Sequence, residues 1–331
     1  MLLKELSQAF GVSGYEKEVR EMIKAEVKEY ADEIITDAMG NLIVYKKGEA
    51  PNKKKIMLAA HMDEIGLQVI KIENNGQIKV KTLGFLWLST TYMSRVKFRN
   101  GVVGIAAGRI EEHKNDFNKL YIDIGAKSKE EASKYVKIGD VASYIGEYIE
   151  LANDNIAAKA LDNRVGCYIM IEALKMTIKP QNDIYFVFTV QEELGCRGAK
   201  VCAERIKPDL GIAIDVTPAH DYPCDLEGSN TLGAGTGIKI SDPSVVCDEY
   251  LVDEMVKCCE ENSIKYQYDV IDKGGTDASS INLSNYGVRT AGITFATRYP
   301  HGPNSMVNMK DVEACIQLLS KYVDRSFDFE D

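Results

Sequence analysis

The sequence lacks the features that assign a chain to a membrane, to secretion or to nucleic acid. No apolar run approaches the roughly 18 residues that a membrane-spanning helix needs. The first residues, MLLKELSQAF, mix charged and apolar side chains at helical spacing, so they do not form the apolar core of a signal peptide. Basic residues are outnumbered by acidic ones, 40 against 50, and the net charge of −10 argues against nucleic acid or an anionic membrane as a partner.

Disulfide signals and sugar-stacking residues are also scarce. The eight cysteines include no CxxC spacing, and without a secretion signal they are interpreted as reduced thiols, so we expect a cytoplasmic protein. A single Trp leaves few platforms on which sugar rings could stack. The 331 residues, 45% hydrophobic and 27% charged, are typical of a globular protein with one large domain or two smaller ones.

Strands and helices alternate in the second half of the chain. Apolar runs and helical periodicity predict the following order: helix 163–175, strand 184–190, helix 198–206, strand 210–216, strand 237–240, helix 250–262, strand 265–271, helix 277–285, strand 289–295 and a last helix from Lys310. Such alternation predicts a mostly parallel sheet flanked by helices, which is an α/β fold.

The first 65 residues begin with a helix and continue with strands. Ser13-Gly14-Tyr15-Glu16 has the form of a capping box and predicts a helix that runs to about Tyr30. Strands are predicted at 33–36, 42–46 and 56–60.

A β-rich segment interrupts this pattern between about Gly66 and Ala157. Hairpins are predicted about Asn75-Gly76 and Asn100-Gly101, and helical periodicity is weak. We therefore expect an α/β domain formed by residues 1–65 and 158–331, with residues 66–157 as an inserted β-rich domain.

Acids and histidines cluster where predicted strands end or helices begin. One strand ends in His61 and is followed by Asp63, another is followed by Glu192 and Glu193, and further positions of this kind are Asp162, Asp215 and His301. Sites in open α/β sheets form where the carboxyl ends of strands meet the following loops. The sequence therefore predicts one site that contains all of these groups.

The chemistry of these residues predicts a metal centre. Imidazole and carboxylate ligands without cysteine favour Zn²⁺ or Co²⁺, with Mn²⁺ as a further candidate. If His61, Asp162, Glu193, Asp215 and His301 are ligands, their three carboxylates balance two dications and one hydroxide. Neighbouring side chains on an extended chain diverge, so one of Glu192 and Glu193 is a ligand and the other takes a proton from the bound water. Asp63 could orient the imidazole of His61.

The motifs HMDEIG, ALDNRVG, VQEELGCRGA, IDV, GGTDA and TRYPHGP occur in order along nearly the whole chain. In this they resemble the dinuclear-metal aminopeptidases of the glutamyl and tetrahedral (TET) aminopeptidase family, some members of which are labelled endoglucanase M. The resemblance implies a zinc-peptidase-like α/β domain with an inserted smaller β-barrel-like domain.

The resemblance also implies roles and partners. His61 and Asp215 would bind one metal, Glu193 and His301 the other, and Asp162 would bridge them. Glu192 would be the general base, and Asp63 the acid behind the first histidine. The substrate would be a peptide, the inserted domain would make dimer contacts, and the assembly would contain twelve chains. Cys196, Asn304 and Ser305 lie where family members vary.

Several residues keep two interpretations. The resemblance implies that the turn of Gly275, Thr276 and Asp277 in GGTDA approaches the substrate, although Asp277 could also be simply a helix N-cap. Arg298 is either a surface residue or a substrate contact. Among the remaining residues, Glu64 is interpreted as structural or as a neighbour of the ligands, His113 as a solvated loop residue, and His220 as a candidate for lining the site.

Three rival functions remain. A deacylase of N-acylated amino acids would use the same chemistry and is the nearest rival. An endoglucanase would need two carboxyl groups about 5–9 Å apart across a sugar, which adjacent acids at a strand end do not naturally supply. A metal-binding protein without catalysis would not need Glu192 beside a ligand.

Overall fold

The computed structural model describes residues 1–108, 116–224 and 227–329. The helices are α1 (Leu2–Gln8), α2 (Lys17–Val27), α3 (Leu88–Thr91), α4 (Lys129–Ala132), α5 (Leu161–Met176), α6 (Arg197–Ile206), α7 (Glu249–Glu261), α8 (Asp277–Asn282) and α9 (Met309–Tyr322), with a 3₁₀ turn at Phe117–Lys119. Among the residues described, these helices are too short or too polar to cross a membrane.

The strands fall into two groups. Those of the large sheet are β1 (Glu33–Thr36), β2 (Leu42–Lys46), β3 (Lys55–His61), β10 (Ile149–Glu150), β11 (Asn155–Ala158), β12 (Asp183–Thr189), β13 (Leu210–Pro218), β14 (Thr236–Asp242), β15 (Val245–Val246), β16 (Tyr266–Val270), β17 (Arg289–Arg298) and β18 (Ser305–Asn308). Those of the barrel are β4 (Gly66–Ile72), β5 (Ile78–Leu83), β6 (Arg95–Phe98), β7 (Val103–Gly108), β8 (Leu120–Asp123) and β9 (Val141–Tyr144).

The large sheet has a parallel centre and antiparallel flanks. Its main path is β1-β2-β12-β3-β13-β17-β18-β11-β10, and β14 joins β17 to β15 and β16. Pairing is parallel from β12 through β3 and β13 to β17. The antiparallel strands β2, β14 and β18 flank this centre. The predicted α/β class is confirmed. In the main path, only β12, β3, β13 and β17 among the described strands pair in parallel, and these are the strands that carry the site.

Packing follows the apolar pattern of the elements. The central strand β12 is buried along nearly its whole length, as expected of a strand covered on both faces. On one face α5 and α9 pack over the main core. On the other face α6 buries Ala199, Cys202, Ala203 and Ile206, a stripe at helical spacing.

The barrel closes in the order β4-β5-β8-β7-β6-β9 and has its own apolar core. Both predicted hairpins are confirmed, since β4 pairs with β5 and β6 with β7 in antiparallel fashion. Gly76 and Gly101, at φ +88° and +94°, supply the left-handed turn residues. His113 lies outside the described residues.

The capping box predicted at Ser13–Glu16 is wrong. Helix α2 begins at Lys17, and its N-cap residue, Glu16, makes no side-chain capping bond. Ser13 Oγ instead donates to Asp63 Oδ2 at 2.6 Å, and Glu16 Oε1 accepts from the backbone of Gly14 and Gln191. A hydrogen bond to the charged carboxylate of Asp63 is stronger than a neutral one, which favours this partner for the Ser13 hydroxyl. Ser13 and Glu16 therefore hold the segments that carry the predicted site.

Candidate metal centre

The predicted site residues meet at the carboxyl edge of the parallel strands. His61 ends β3 and lies in register with Thr189, the last residue of β12, so the loop after β12 brings Glu192 and Glu193 beside it. Asp215 lies in the adjacent strand β13. Asp162 lies at the start of α5, where its backbone is not helical.

The first group at this edge, the sheet-side pair, consists of His61 and Asp215. His61 Nε2 lies 3.7 Å from Asp215 Oδ1 and 3.1 Å from Asp162 Oδ1. The imidazole is buried, with 2% of its side chain exposed. Glu192 Oε2 is 3.8 Å from the same nitrogen.

The second group, the barrel-side pair, consists of His301 and Glu193. His301 Nε2 lies 3.5 Å from Glu193 Oε1 and 3.1 Å from Asp162 Oδ2. The imidazole is 24% exposed and lies on a loop after β17, with φ +55°. Asp162 therefore stands between the two pairs and presents one oxygen to each histidine.

Hydrogen bonds fix the orientation of both imidazoles. His61 Nδ1 lies 3.0 Å from the backbone oxygen of Asp63, and His301 Nδ1 lies 2.6 Å from that of Phe85. A carbonyl oxygen only accepts, so each Nδ1 carries the proton and donates it. The two Nε2 atoms are thereby directed at carboxylates, the orientation found in histidines that bind metals.

The donor set fits divalent cations. His61, Asp162 and Asp215 bring one ligand atom each within 4.8 Å of one another, and so do Asp162, Glu193 and His301. Asp162 Oδ1 is buried and has no hydrogen-bond partner within the described residues. Buried carboxylates are costly unless paired or bound to a metal, and histidine with carboxylate is a ligand set for zinc and similar ions.

The pKa values of these histidines and carboxylates are strongly shifted. Burial acts to lower the pKa of both histidines, but neighbouring carboxylates outweigh it, so the pKa of His301 rises to about 10 and that of His61 rises well above its ordinary value. Burial raises the pKa of Glu193 to about 7. Burial acts to raise the pKa of Asp162 too, but the neighbouring imidazoles of His61 and His301 hold it below its usual range. A cation entering the site competes with protons on the imidazoles.

A protein-family model matches most of this chain. The model for M42 glutamyl aminopeptidases matches residues 40–318, which contain the whole cluster. The chain belongs to the M42 glutamyl aminopeptidase family. Its activity is that of an aminopeptidase, a peptide-bond hydrolase of the metallopeptidase class.

Relatives cover nearly the full length of this M42 peptidase. A protein of Acetivibrio thermocellus is 44% identical over 321 residues, 96% of each chain. The lysyl aminopeptidase of Pyrococcus furiosus is 33% identical over 96% of this chain and 94% of its own. The glutamyl aminopeptidase of Lactococcus lactis is 31% identical over 93% of this chain and 91% of its own.

Solved structures share the fold, including the inserted barrel. The aminopeptidase APDkam598 of Desulfurococcus kamchatkensis has a TM-score of 0.93 at 36% identity, covering 98% of this chain and 94% of its own. The TET1 peptidase of Pyrococcus horikoshii, described as assembling into a tetrahedron or a large octahedral shell, has a TM-score of 0.87 at 32% identity over 97% and 98%. A structure described as an endoglucanase of Thermotoga maritima scores 0.82 at 35% identity over 97% and 96%.

In this M42 peptidase the carboxylate of Asp63 contacts more than the imidazole. Its Oδ1 is 3.6 Å from His61 Nδ1, farther than the backbone oxygen of the same residue. The carboxylate accepts the backbone N–H of Glu192 at 3.0 Å and of Glu193 at 3.3 Å, as well as the hydroxyl of Ser13. Asp63 therefore fixes the turn that carries the two adjacent acids.

The predicted substrate residues are placed differently from one another. Gly275 is exposed, whereas Thr276 caps α8 through its hydroxyl and is buried. Asp277 is the first residue of α8 and not its N-cap, so the capping interpretation is wrong. Its carboxylate accepts from Thr189 Oγ1 at 2.6 Å, while its buried Oδ1 has no partner among the described residues. Burial raises the pKa of Asp277 to about 7.

Three further predictions concern residues beside the cluster. Arg298 forms a forked ion pair with Asp221, at 2.9 and 2.7 Å, so its donors are engaged by the protein. His220 packs against Gly228 and joins none of the candidate metal groups found in the described residues. Glu64 is buried and contacts Lys159 Nζ at 2.8 Å and Ser143 Oγ at 2.8 Å, which ties the barrel to the sheet.

Sequence reasoning missed the aromatic wall of the site. Phe85 follows β5 of the barrel, and its ring lies 6.3 Å from that of His301. The single Trp87 stacks edge-on against Phe85 at 4.7 Å and is partly exposed. The only signal was the apolar stretch Gly84-Phe85-Leu86-Trp87 after a predicted hairpin, and it gave no reason to place these rings beside His301, which is 216 residues from Phe85.

Proposed function

We propose that this M42 peptidase removes N-terminal residues from peptides with two divalent metal ions, Zn²⁺ or Co²⁺ with Mn²⁺ as a third candidate. The sheet-side pair would hold one ion, the barrel-side pair the other, and Asp162 would bridge them. The observation that carries this proposal is that each oxygen of Asp162 lies 3.1 Å from the Nε2 of a different histidine. Bound ions of this kind polarise the scissile carbonyl and lower the pKa of water.

Glu192 is the general base in this proposal. Its Oε2 reaches the edge of the cluster, 3.8 Å from His61 Nε2, while Glu193 turns to the barrel-side pair. Burial raises the pKa of Glu192 well above its ordinary value, which suits a group that accepts a proton from water and returns it to the leaving amine. The carboxylate of Asp63 accepts the two backbone N–H groups of this turn. It thereby keeps the side chains of Glu192 and Glu193 pointing in different directions.

The substrate is a peptide with a free α-amine. The buried carboxylates give the site a negative potential, which attracts an ammonium group. In this proposal the turn of Gly275, Thr276 and Asp277 contacts the substrate, and the unpartnered Oδ1 of Asp277 supports that role. Arg298 would act on the substrate only if it left Asp221, so its contribution is to hold the loop that carries Asp221.

An assay panel separates this function from its rivals. Metal-reconstituted protein is offered aminoacyl anilides with a free amine, N-acetyl amino acids and carboxymethylcellulose. We expect hydrolysis of the anilides alone. Preference for the N-acetyl compounds would identify a deacylase instead, and release of reducing sugar would identify the endoglucanase named for one structural relative.

We also propose that the inserted region, residues 66–157, makes dimer contacts within a larger assembly of twelve chains. One related structure is described as a dodecamer. The barrel exposes large apolar side chains, including Val103, Ile105 and Ile138, that a second chain would cover. Light scattering is expected to give a mass far above one chain, and a stable, fully active monomer would contradict the proposal.

A further inference from the structure

The turn after β12 places a cysteine one helical turn beyond Glu192. The N–H groups of Gly195 and Cys196 both donate to the backbone oxygen of Glu192, at 2.8 Å each. Gly195 and Cys196 both have left-handed backbones, with φ +104° and +52°. This tight turn brings the side chains of Glu192 and Cys196 to the same side.

The thiol of Cys196 contacts the carboxylate of Glu192. Its Sγ lies 3.2 Å from Glu192 Oε1 and 3.4 Å from the backbone oxygen of Thr276. Ser279 Oγ already donates to that same Thr276 oxygen at 2.9 Å. The single thiol proton is therefore directed to Glu192 Oε1, which is nearer and does not already accept from Ser279.

We propose that Cys196 is a positioning residue, whose thiol holds Oε1 of Glu192 so that Oε2 faces the metal centre. The terminal torsion of a glutamate is soft, so a hydrogen bond to one oxygen selects the orientation of the other. The thiol remains a neutral donor, since burial and the charges of Glu192 and Asp277 raise the pKa of Cys196 far above its ordinary value. This inference rests on the role of Glu192 proposed above.

Replacement of the thiol tests the proposal. In Cys196→Ala we expect kcat to fall roughly 3- to 10-fold, because a thiol is a weak donor to a charged group, while KM and the metal content stay unchanged. Cys196→Ser keeps a donor of similar size and is expected to retain kcat within about 2-fold. The matched control is Cys202→Ala, which removes a buried thiol within α6, the helix that Cys196 precedes, and this thiol packs away from the site. Thermal unfolding shows that each variant is folded.

A double-mutant cycle asks whether Cys196 acts through Glu192. In the Glu192→Gln background, Cys196→Ala is expected to cause no further loss of kcat, because the group it positions has gone. The same loss in both backgrounds, or an equal loss in Cys196→Ser and Cys196→Ala, would overturn the inference. Full activity of Glu192→Gln itself would instead overturn the proposed function, so the two failures are distinguishable.

Discussion

The two histidines of the centre are held in different ways. His61 ends a central strand, is almost fully buried, and donates from Nδ1 to the backbone two residues away. His301 lies on a loop, is 24% exposed, and donates to Phe85, which belongs to the segment after barrel strand β5. The sheet-side pair is therefore built within one sheet, whereas the barrel-side pair is built between two regions.

This difference assigns different tasks to the two regions. The members of the sheet-side pair lie on neighbouring parallel strands, β3 and β13, and the carbonyl that orients His61 belongs to the loop directly after β3. The barrel-side pair has this geometry only when the barrel packs against the α/β region, because the carbonyl of Phe85 orients His301 and Gly84 packs against Glu193. We expect the second metal to be the weaker and the more readily lost.

Removal of the metal ions is expected to have the largest effect on activity. Exhaustive chelation is expected to abolish anilide hydrolysis, since both the water and the scissile carbonyl depend on bound ions. Titration of Zn²⁺ or Co²⁺ back into the protein, followed by calorimetry, is expected to show a tight and a weaker equivalent. Full activity after elemental analysis has verified metal loss would contradict the dinuclear proposal, and two equal affinities would contradict the contrast between the pairs.

The next effect separates the adjacent acids. Glu192→Gln keeps every proposed ligand and is expected to lose roughly 10²–10⁴-fold in kcat with both metals bound. Glu193→Gln replaces an anionic ligand by an amide, so the second metal is expected to be held weakly and activity to recover partly at high metal concentration. Metal stoichiometry of the two variants decides between them. Loss of metal from Glu192→Gln, with both ions retained in Glu193→Gln, would reverse the assignment.

Local patterns were sufficient to predict most of the fold. The strand predicted at 184–190 is β12 at Asp183–Thr189, and both hairpins form about their Asn-Gly turns. The sheet-side pair was predictable for the same reason, since parallel strands bring their carboxyl ends to one edge. Periodicity and turn residues are properties of short segments, which a sequence displays directly.

Contacts between distant segments were not predictable in this way. The Phe85 oxygen that orients His301 is a backbone atom, and the sequence distinguishes it from no other carbonyl. Ser13 and Glu16 have the spacing of a capping box, but they serve Asp63 and the turn after β12 instead. The thiol of Cys196 likewise gains its role from a turn geometry, which a residue name alone does not reveal.

A smaller effect is expected where the barrel touches the centre. A β-carbon at Gly84, which has φ +83°, would lie 2.7 Å from Ile65 Cγ2, 2.9 Å from Glu193 Oε2 and 3.2 Å from Glu193 Cβ, so Gly84→Ala is expected to displace this proposed ligand. We expect about 10- to 100-fold weaker binding of the second metal, the usual scale for groups that support ligands, with the first unchanged. Calorimetric titration of both metals measures this.

Gly125→Ala is the matched control for that variant. Gly125 has φ +80°, but a β-carbon there would meet no atom of the described chain within 4 Å. Both substitutions impose the same left-handed strain, roughly 1–2 kcal/mol in the free energy of unfolding, and only Gly84→Ala disturbs Glu193. Equal metal affinities in the two variants would show that the barrel does not support the barrel-side pair.

The last effect, and the smallest when taken per pH unit, is the proton linkage of the barrel-side pair. Its histidine has a pKa of about 10 in the folded chain against an ordinary 6.5, so without metal its stabilising contribution is complete below 6.5 and is lost as pH rises through 10. Metal binding has the opposite sign, because a bound imidazole is neutral and its proton must leave. Affinity for the second metal is therefore expected to rise with pH, about tenfold per pH unit between 7 and 10, and more steeply below 7, where Glu193 also holds a proton. Calorimetry in buffers of different ionisation enthalpy counts the released protons, and a count of zero at pH 7.5 would show that the barrel-side imidazole is already neutral.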